Sequence, residues 1–297
     1  MASAPSPHDI VPLHAQHERS FETNRFVYPV LSRRSGGISI GVNLNPDKIC
    51  NFDCIYCQVD RTTQSETTFV ETDALFRELD EMLTLVQTGE IYHTEKFRDT
   101  PEPLRRLNDI AFSGDGEPTT YRNFDEIIAR AAELKRRRGL DDVKLVLITN
   151  ASMFQRPHVR RGLAILDDNH GEIWAKLEAG TAEYFQLVDR TPIPFQQILD
   201  NITDAARLRP IVIQALFMRV HGEPPPLEEL HAFCDRLNEI VLAGGSIKLV
   251  QIYTIARRTT ESYVAPLAND EVEHIARLVR EQTRLSVATF YGLGEPS

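Results

Sequence analysis

Cysteine is scarce in this chain, with four residues in 297. That is too few for a disulfide-braced secreted fold, and it fits a reducing compartment in which thiolates bind metal and do not pair. No run of about 18 apolar residues exists to cross a bilayer. Residues 1–20 lack the apolar stretch that a secretion signal needs, so the expectation is a soluble, cytoplasmic protein without membrane contact. Positive charge is also short: 33 basic against 43 acidic side chains give a formal net charge of -10, which argues against a generally nucleic-acid-binding surface. No short-period repeat or low-complexity tract interrupts the chain.

The few cysteines are unevenly placed. Three of them fall within Cys50-Asn51-Phe52-Asp53-Cys54-Ile55-Tyr56-Cys57. Three thiolates at spacings of x3 and x2 are one short of a structural zinc site, and they fit an iron–sulfur cluster with one coordination position open. Two other readings compete. A zinc ion could be completed by a distant Cys234 or histidine, or the three cysteines, at i, i+4 and i+7, could form the buried face of a helix. Asn51, Asp53 and the nearby Pro46 make that helix a poor one. Cys234, inside an amphipathic segment beginning near Pro226, reads as core packing.

Residues 1–35 mix prolines, histidines and charges without periodicity and read as an irregular leader, followed by a single domain over 36–297. In that domain apolar strands alternate with helical segments. Strands are expected at 38–44, 109–113, 143–148, 172–177, 211–217 and 247–253, with a last apolar run at 285–290. Helices are expected at 72–88, 124–138, 195–207, 226–242 and 269–283. This is the βαβ rhythm of a parallel sheet, and six or seven such units predict an α/β fold, a partial or nearly closed (β/α)6-7 TIM-like barrel. The site of such a barrel lies in the loops at the C-terminal ends of its strands. The cysteine loop, following the first strand, and Gly114-Asp115-Gly116-Glu117-Pro118, following the second, both satisfy that placement.

The cysteine motif with Tyr56 as its aromatic resembles the signature of the radical S-adenosylmethionine (radical SAM) superfamily. The resemblance implies that Cys50, Cys54 and Cys57 hold three irons of a [4Fe-4S] cluster, whose fourth iron chelates the methionine part of S-adenosyl-L-methionine (SAM). It further implies reductive cleavage of SAM to a 5'-deoxyadenosyl radical, with a flavodoxin or ferredoxin as reductant. Gly114, Gly116 and Glu117 resemble the family's glycine-glutamate motif that holds the amino group of SAM, although Asp115 interrupts it. The resemblance also implies that Tyr56 lies near the adenine and that Asn150 and Ser152, after the third strand, lie near the ribose or carboxylate, where a helix N-cap is the alternative role for both. Lys176-Leu177-Glu178-Ala179 resembles a lysine-leucine-aspartate-alanine strand of the stand-alone branch related to tRNA wybutosine-synthesis enzymes, with Glu178 in place of aspartate. The match to that branch continues through 250–257, so the resemblance spans roughly 36–291. Without added cysteines, a single cluster is implied.

Gln214, Gln251 and Tyr253 are polar side chains inside apolar strands, either pinned to a neighbour or aimed at a ligand. Arg257, just past the sixth strand, either binds an anionic substrate group or is solvated. Lys135-Arg136-Arg137-Arg138 ends a helix with Gly139 at C', where cations suit the helix dipole, and reads as a solvated end. The facing of Arg156, Arg160 and Arg161 is not legible. The substrate is left open between a small molecule, a polypeptide and tRNA, and a metal-binding or electron-transfer protein that does not cleave SAM is the rival from outside the enzyme class.

Overall fold

The computed structural model describes residues 21–292, in which two compact units account for the chain. Of the described residues, the first unit takes 21–49, 64–147 and 161–172; the second takes 50–63, 148–160 and 173–292.

In the first unit, β1 (Val27–Ser32) pairs antiparallel with β2 (Gly37–Val42), which pairs parallel with β3 (Leu107–Phe112). The strand β3 pairs parallel with β4 (Lys144–Thr149) through Asp109–Phe112. Two helices join these strands. The apolar stripe of α1 (Thr72–Thr88) buries Leu75, Leu79, Met82, Leu83 and Val86, and Gly89 ends it with the left-handed φ of 80°. That spacing puts one face against the strands, and Gly89 takes a conformation that costs a glycine little. The second helix is α2 (Phe124–Arg137).

Beyond α3 (Pro157–Asp167), the second unit is built on β5 (Gly171–Lys176), β6 (Ile211–Leu216), β8 (Ile247–Tyr253) and β10 (Val287–Phe290), with short β7 (Met218–Val220) and β9 (Val264–Pro266) paired antiparallel. Within it β5 pairs parallel with β6, β6 with β8 and β8 with β10. The connections are α4 (Ala182–Asp189), α5 (Phe195–Leu208), α6 (Leu227–Leu242) and α7 (Asn269–Thr283). Parallel strands joined by crossover helices make this the expected α/β fold, a partial TIM-like barrel. No helix among the described residues is long and apolar enough to cross a membrane.

Three sequence expectations need correction. The reading of an irregular leader fails at β1, which lies inside 1–35; residues 1–20 of that leader lie outside the described residues. Pro29 masks the strand in the sequence. It is tolerated because, among the described residues, β1 pairs with β2 alone, and an edge strand accommodates a residue with no N–H to donate. The chain entering β1 is instead held by Glu78 of α1, whose carboxylate accepts from the amides of Arg25, Phe26 and Val27 at 3.1, 2.8 and 3.1 Å.

The second correction concerns α3 and α4, which the sequence reading left as connections. The latter is short, and its start is marked only by Thr181, whose hydroxyl accepts from the Tyr184 amide at 3.2 Å.

The third is the basic helix end, which is not uniformly solvated. Lys135 is buried, and its ammonium donates to the carbonyls of Asp141, Val143 and Asn169 at 3.2, 2.7 and 3.0 Å. Arg138 bonds Asp80 through Nε at 2.8 Å. Burial pushes the Lys135 pKa down while Asp141 and Asp142 pull it up. Removing this ammonium strands three carbonyls, so Lys135→Ala is expected to cost about 2–4 kcal/mol in urea unfolding. A loss below about 0.5 kcal/mol would show that water replaces the side chain at no cost.

Candidate functional site

The cysteine loop belongs to the second unit and is tied to the end of α4. The amides of Asp53 and Ile55 donate to the carbonyls of Asp189 and Val188 at 3.2 and 2.9 Å, and the Thr191 hydroxyl donates to the Asn51 carbonyl at 3.0 Å. Extended pairing of this kind is incompatible with a helix through the three cysteines, so the buried-helix-face reading falls. Cys50, Cys54 and Cys57 are each half-buried, whereas Cys234 is fully buried in α6, where burial pushes its thiol up to about 11. A tight turn brings the Cys57 amide onto the Cys54 carbonyl at 3.0 Å. Among the described residues, no three His, Cys, Asp or Glu side chains are arranged to hold a metal ion.

Asn51, which the sequence reading passed over, braces this loop. Its Oδ1 accepts from Asn150 Nδ2 at 2.9 Å and its Nδ2 donates to Ser152 Oγ at 2.7 Å, while Ser152 Oγ donates to Asn150 Oδ1 at 2.6 Å. The two residues expected to touch SAM are thus brought to the cysteine loop as its supports. They lie beside Ala151, whose left-handed φ of 60° is held by Asn201 Nδ2 donating to the Ala151 carbonyl at 2.9 Å.

Behind Cys54 lie Ile55, Tyr56, Val188, Leu216, Met218, Tyr253, Ile255, Val264 and Phe290, an apolar wall into which several ionisable groups are set. Lys176, at the end of β5, donates to the Tyr56 hydroxyl at 3.1 Å, lies 4.7 Å from that ring's centroid and stands 3.6 Å from the Glu178 carboxylate. Burial sets this pair apart from a surface ion pair, since Glu178 is 2% exposed and its Oε1 makes no hydrogen bond within normal distance. Burial raises the Glu178 pKa while Lys176 opposes it. Burial is the largest influence on the Lys176 ammonium and works against it, yet Glu178, Tyr253, Cys54 and Asp189 together outweigh burial and the pKa is raised. Asp189, at the end of α4, accepts from the Cys54 thiol at 3.2 Å. Burial pushes Asp189 well up, with the Glu178 charge adding to it, and the Cys54 thiol is pushed well up by burial and then by Asp189. One cation set among three acidic groups at low dielectric leaves protons shared, so a metal binding Cys54 must displace one.

Gln214 and Gln251 face each other across β6 and β8, with Gln214 Nε2 donating to Gln251 Oε1 at 2.9 Å, so each is at least partly pinned by the other. The same register sets Lys176 beside Gln214, forming a polar row across three strands. The Gln214 Oε1 is buried without a partner. Tyr253 ends β8, and Arg257 is half-buried in the loop beyond it.

The glycine-glutamate loop belongs to the first unit, following β3. A Cβ on Gly114 would stand 2.3 Å from Asn43 Oδ1, and one on Gly116 would stand 2.2 Å from the Ile49 carbonyl, just before Cys50. Both positions therefore require glycine for close approach and not for unusual dihedrals. Asn43 holds the loop, accepting from the Asp115 amide at 3.2 Å and donating to Asp115 Oδ2 at 2.6 Å. Glu117 is buried and turned into its own loop, where it accepts from the Thr119 amide at 3.1 Å.

Sequence reasoning missed Asn51 and Asp189, which meet the cysteine loop in the second unit, and Asn43, which holds the glycine-glutamate loop in the first. Asn51 sits inside the motif and Asn43 just before it, so a polar side chain beside the cysteines was the available signal. Asp189 is 132 residues after Cys57, and no local pattern marks it. Of the basic trio, Arg161 bonds Asp125 at 2.7 Å in the first unit, and Arg156 and Arg160 are exposed in the second.

The chemistry of the side chains present suits an iron–sulfur cluster: three half-buried thiols on one braced loop. Residues 44–223, more than half of the chain, match the sequence profile of the "Radical SAM superfamily". A UPF0026 protein of Helicobacter pylori is 28% identical over 82% of this chain and 70% of its own length. A protein of Brachyspira hyodysenteriae named "GTPase Obg" is 26% identical over 85% of this chain, which spans only 33% of that relative. Among solved structures, archaeal TYW1 superposes over 82% of this chain and 72% of its own with a TM-score of 0.45 and 12% identity.

Proposed function

This chain belongs to the radical SAM superfamily, and from that we propose that it binds a [4Fe-4S] cluster through Cys50, Cys54 and Cys57 and cleaves SAM reductively. The chemistry the bound cluster and SAM supply is one-electron rupture of a carbon–sulfur bond, releasing methionine and a 5'-deoxyadenosyl radical that abstracts hydrogen from a substrate. The observation that carries this reading is the braced loop with its three half-buried thiols inside the matched span.

The protein's own contribution is position and dielectric. The Asn51, Asn150 and Ser152 triangle and the α4 backbone brace the loop, which limits the backbone rearrangement needed to gather the three thiols on a cluster. The apolar wall around Tyr56 keeps water from the Cys54 side. Gly114 and Gly116 let backbone approach the methionine end of SAM, with Glu117 fixing the turn, and Lys176 and Glu178 offer a donor and an acceptor to its polar groups. Gln214, Gln251, Tyr253 and Arg257 are the residues assigned to the substrate side. A flavodoxin or ferredoxin supplies the electron, and the net charge of -10 favours a small molecule or polypeptide over tRNA as substrate.

The test is anaerobic reconstitution followed by dithionite and SAM. The expected result is about four irons per chain, as a single cluster requires, with 5'-deoxyadenosine formed in step with methionine. A full cluster without 5'-deoxyadenosine would sink the reading in favour of an electron carrier.

A further inference from the structure

Arg61, four residues past Cys57, folds back over the cysteine loop. Its Nη1 donates to the Phe52 carbonyl at 3.1 Å and lies 3.6 Å from Asp53 Oδ1, while its Nη2 donates to Cys57 Sγ at 3.6 Å, a hydrogen-bond distance for sulfur. The side chain is 29% exposed, and Nε is buried without a partner. We propose that Arg61 is a positioning residue that sets the reduction potential of the cluster through its N–H bond to Cys57 Sγ. This rests on the reading of Cys57 as a cluster ligand.

The planar guanidinium makes the contact directional. With Nη1 on the Phe52 carbonyl, the planar fork presents Nη2 to the sulfur. Asp53 does not neutralise this cation alone, because its other oxygen lies 3.1 Å from Arg190 Nη2, and Arg190 Nη1 in turn lies 2.7 Å from Glu261. A thiolate sulfur accepts a charge-assisted bond more strongly than a thiol does. Reduction adds one electron from the external donor to the cluster, which is reduced as the donor is oxidised; no bond breaks and no proton is required. The added negative charge is shared by the ligand sulfurs, so a cation donating to one of them stabilises the reduced form more than the oxidised form. The apolar wall beside Cys54 acts in the opposite sense, disfavouring added charge. Arg61 offsets it from the Cys57 side.

The experiment is a redox titration of the reconstituted holoprotein, followed by the electron paramagnetic resonance signal of the reduced cluster, for wild type, Arg61→Met and Arg61→Lys. Arg61→Met is expected to make reduction harder by about tenfold in equilibrium constant, about 59 mV for one electron, at unchanged iron content. Arg61→Lys, which keeps the charge and loses the fork, is expected to fall between the two. A full complement of iron in Arg61→Met with an unchanged potential would overturn the proposal and leave Arg61 as a loop clamp. If Arg61→Met loses its cluster, pulsed resonance on wild type carrying 15N-arginine decides: a guanidinium nitrogen coupled to the cluster supports the bond, and its absence overturns it. Wild type that assembles no cluster would instead defeat the proposed function itself.

Discussion

Cys54→Ala is expected to eliminate 5'-deoxyadenosine formation altogether and to drop bound iron from about four per chain to below about one, while the far-ultraviolet circular dichroism spectrum stays that of wild type. The two outcomes separate because the thiol is a ligand first and a packing group second. Cys54 is only half-buried and sits at the margin of the apolar wall, so its loss removes little buried surface. The loop keeps its backbone bonds from Asp53 and Ile55 to α4, together with the Asn51 triangle. What disappears is one of three ligands in a set with no spare. The carboxyl of Asp189 also loses the thiol that donates to it, and with a pKa already raised by burial it stays protonated more readily, limiting the cost in stability.

Cys234→Ala provides the control. It removes a fully buried thiol from α6 and should lower stability by about 1–2 kcal/mol through the cavity it leaves, with iron content and SAM cleavage intact. Retained iron and cleavage in Cys54→Ala would refute the assignment of the cysteine loop.

Gly180→Ala is expected to lower stability by about 3 kcal/mol or more, because its Cβ would stand 2.0 Å from the Phe233 amide nitrogen and 2.4 Å from the Ala232 carbonyl carbon. Both are backbone atoms of α6, so no side chain can swing aside and the helix itself must shift. That shift also disturbs Glu229, in the first turn of α6, whose carboxylate accepts from the Gly180 amide and, at 2.6 Å, from the Thr181 hydroxyl. Glu178 lies two residues earlier, so the displacement reaches the ionisable groups behind Cys54. For a chain of this size the loss corresponds to a fall in Tm of roughly 6–12 °C. Gly139→Ala makes the comparison sharp. Gly139 has φ of 65° but nothing within 4 Å of a Cβ, so only backbone strain of about 1 kcal/mol applies. Equal losses at the two glycines would mean that the close approach of α6 to the end of β5 does not govern stability.

Much of this protein was legible in its amino acids because the signals are local. Apolar alternation marks the parallel strands, 3.6-residue periodicity marks α1, α2, α5, α6 and α7, and three cysteines in eight positions mark the candidate site, since each pattern is written within one element's own length. The β1 strand escaped because Pro29 breaks its pattern, and whether that matters depends on β1 lying at the edge of the sheet among the described residues. The short α4 escaped because eight residues carry barely two turns of periodicity.

Only tertiary structure could bring Asp189 to Cys54, set Asn150 and Ser152 on Asn51, bury Lys135 among three carbonyls, and lay Gly180 against α6. Those contacts join residues up to 135 positions apart. Which polar group meets which across such a distance is decided by the packing of whole elements, because burial and pairing are set by three-dimensional neighbours that no short stretch of chain contains.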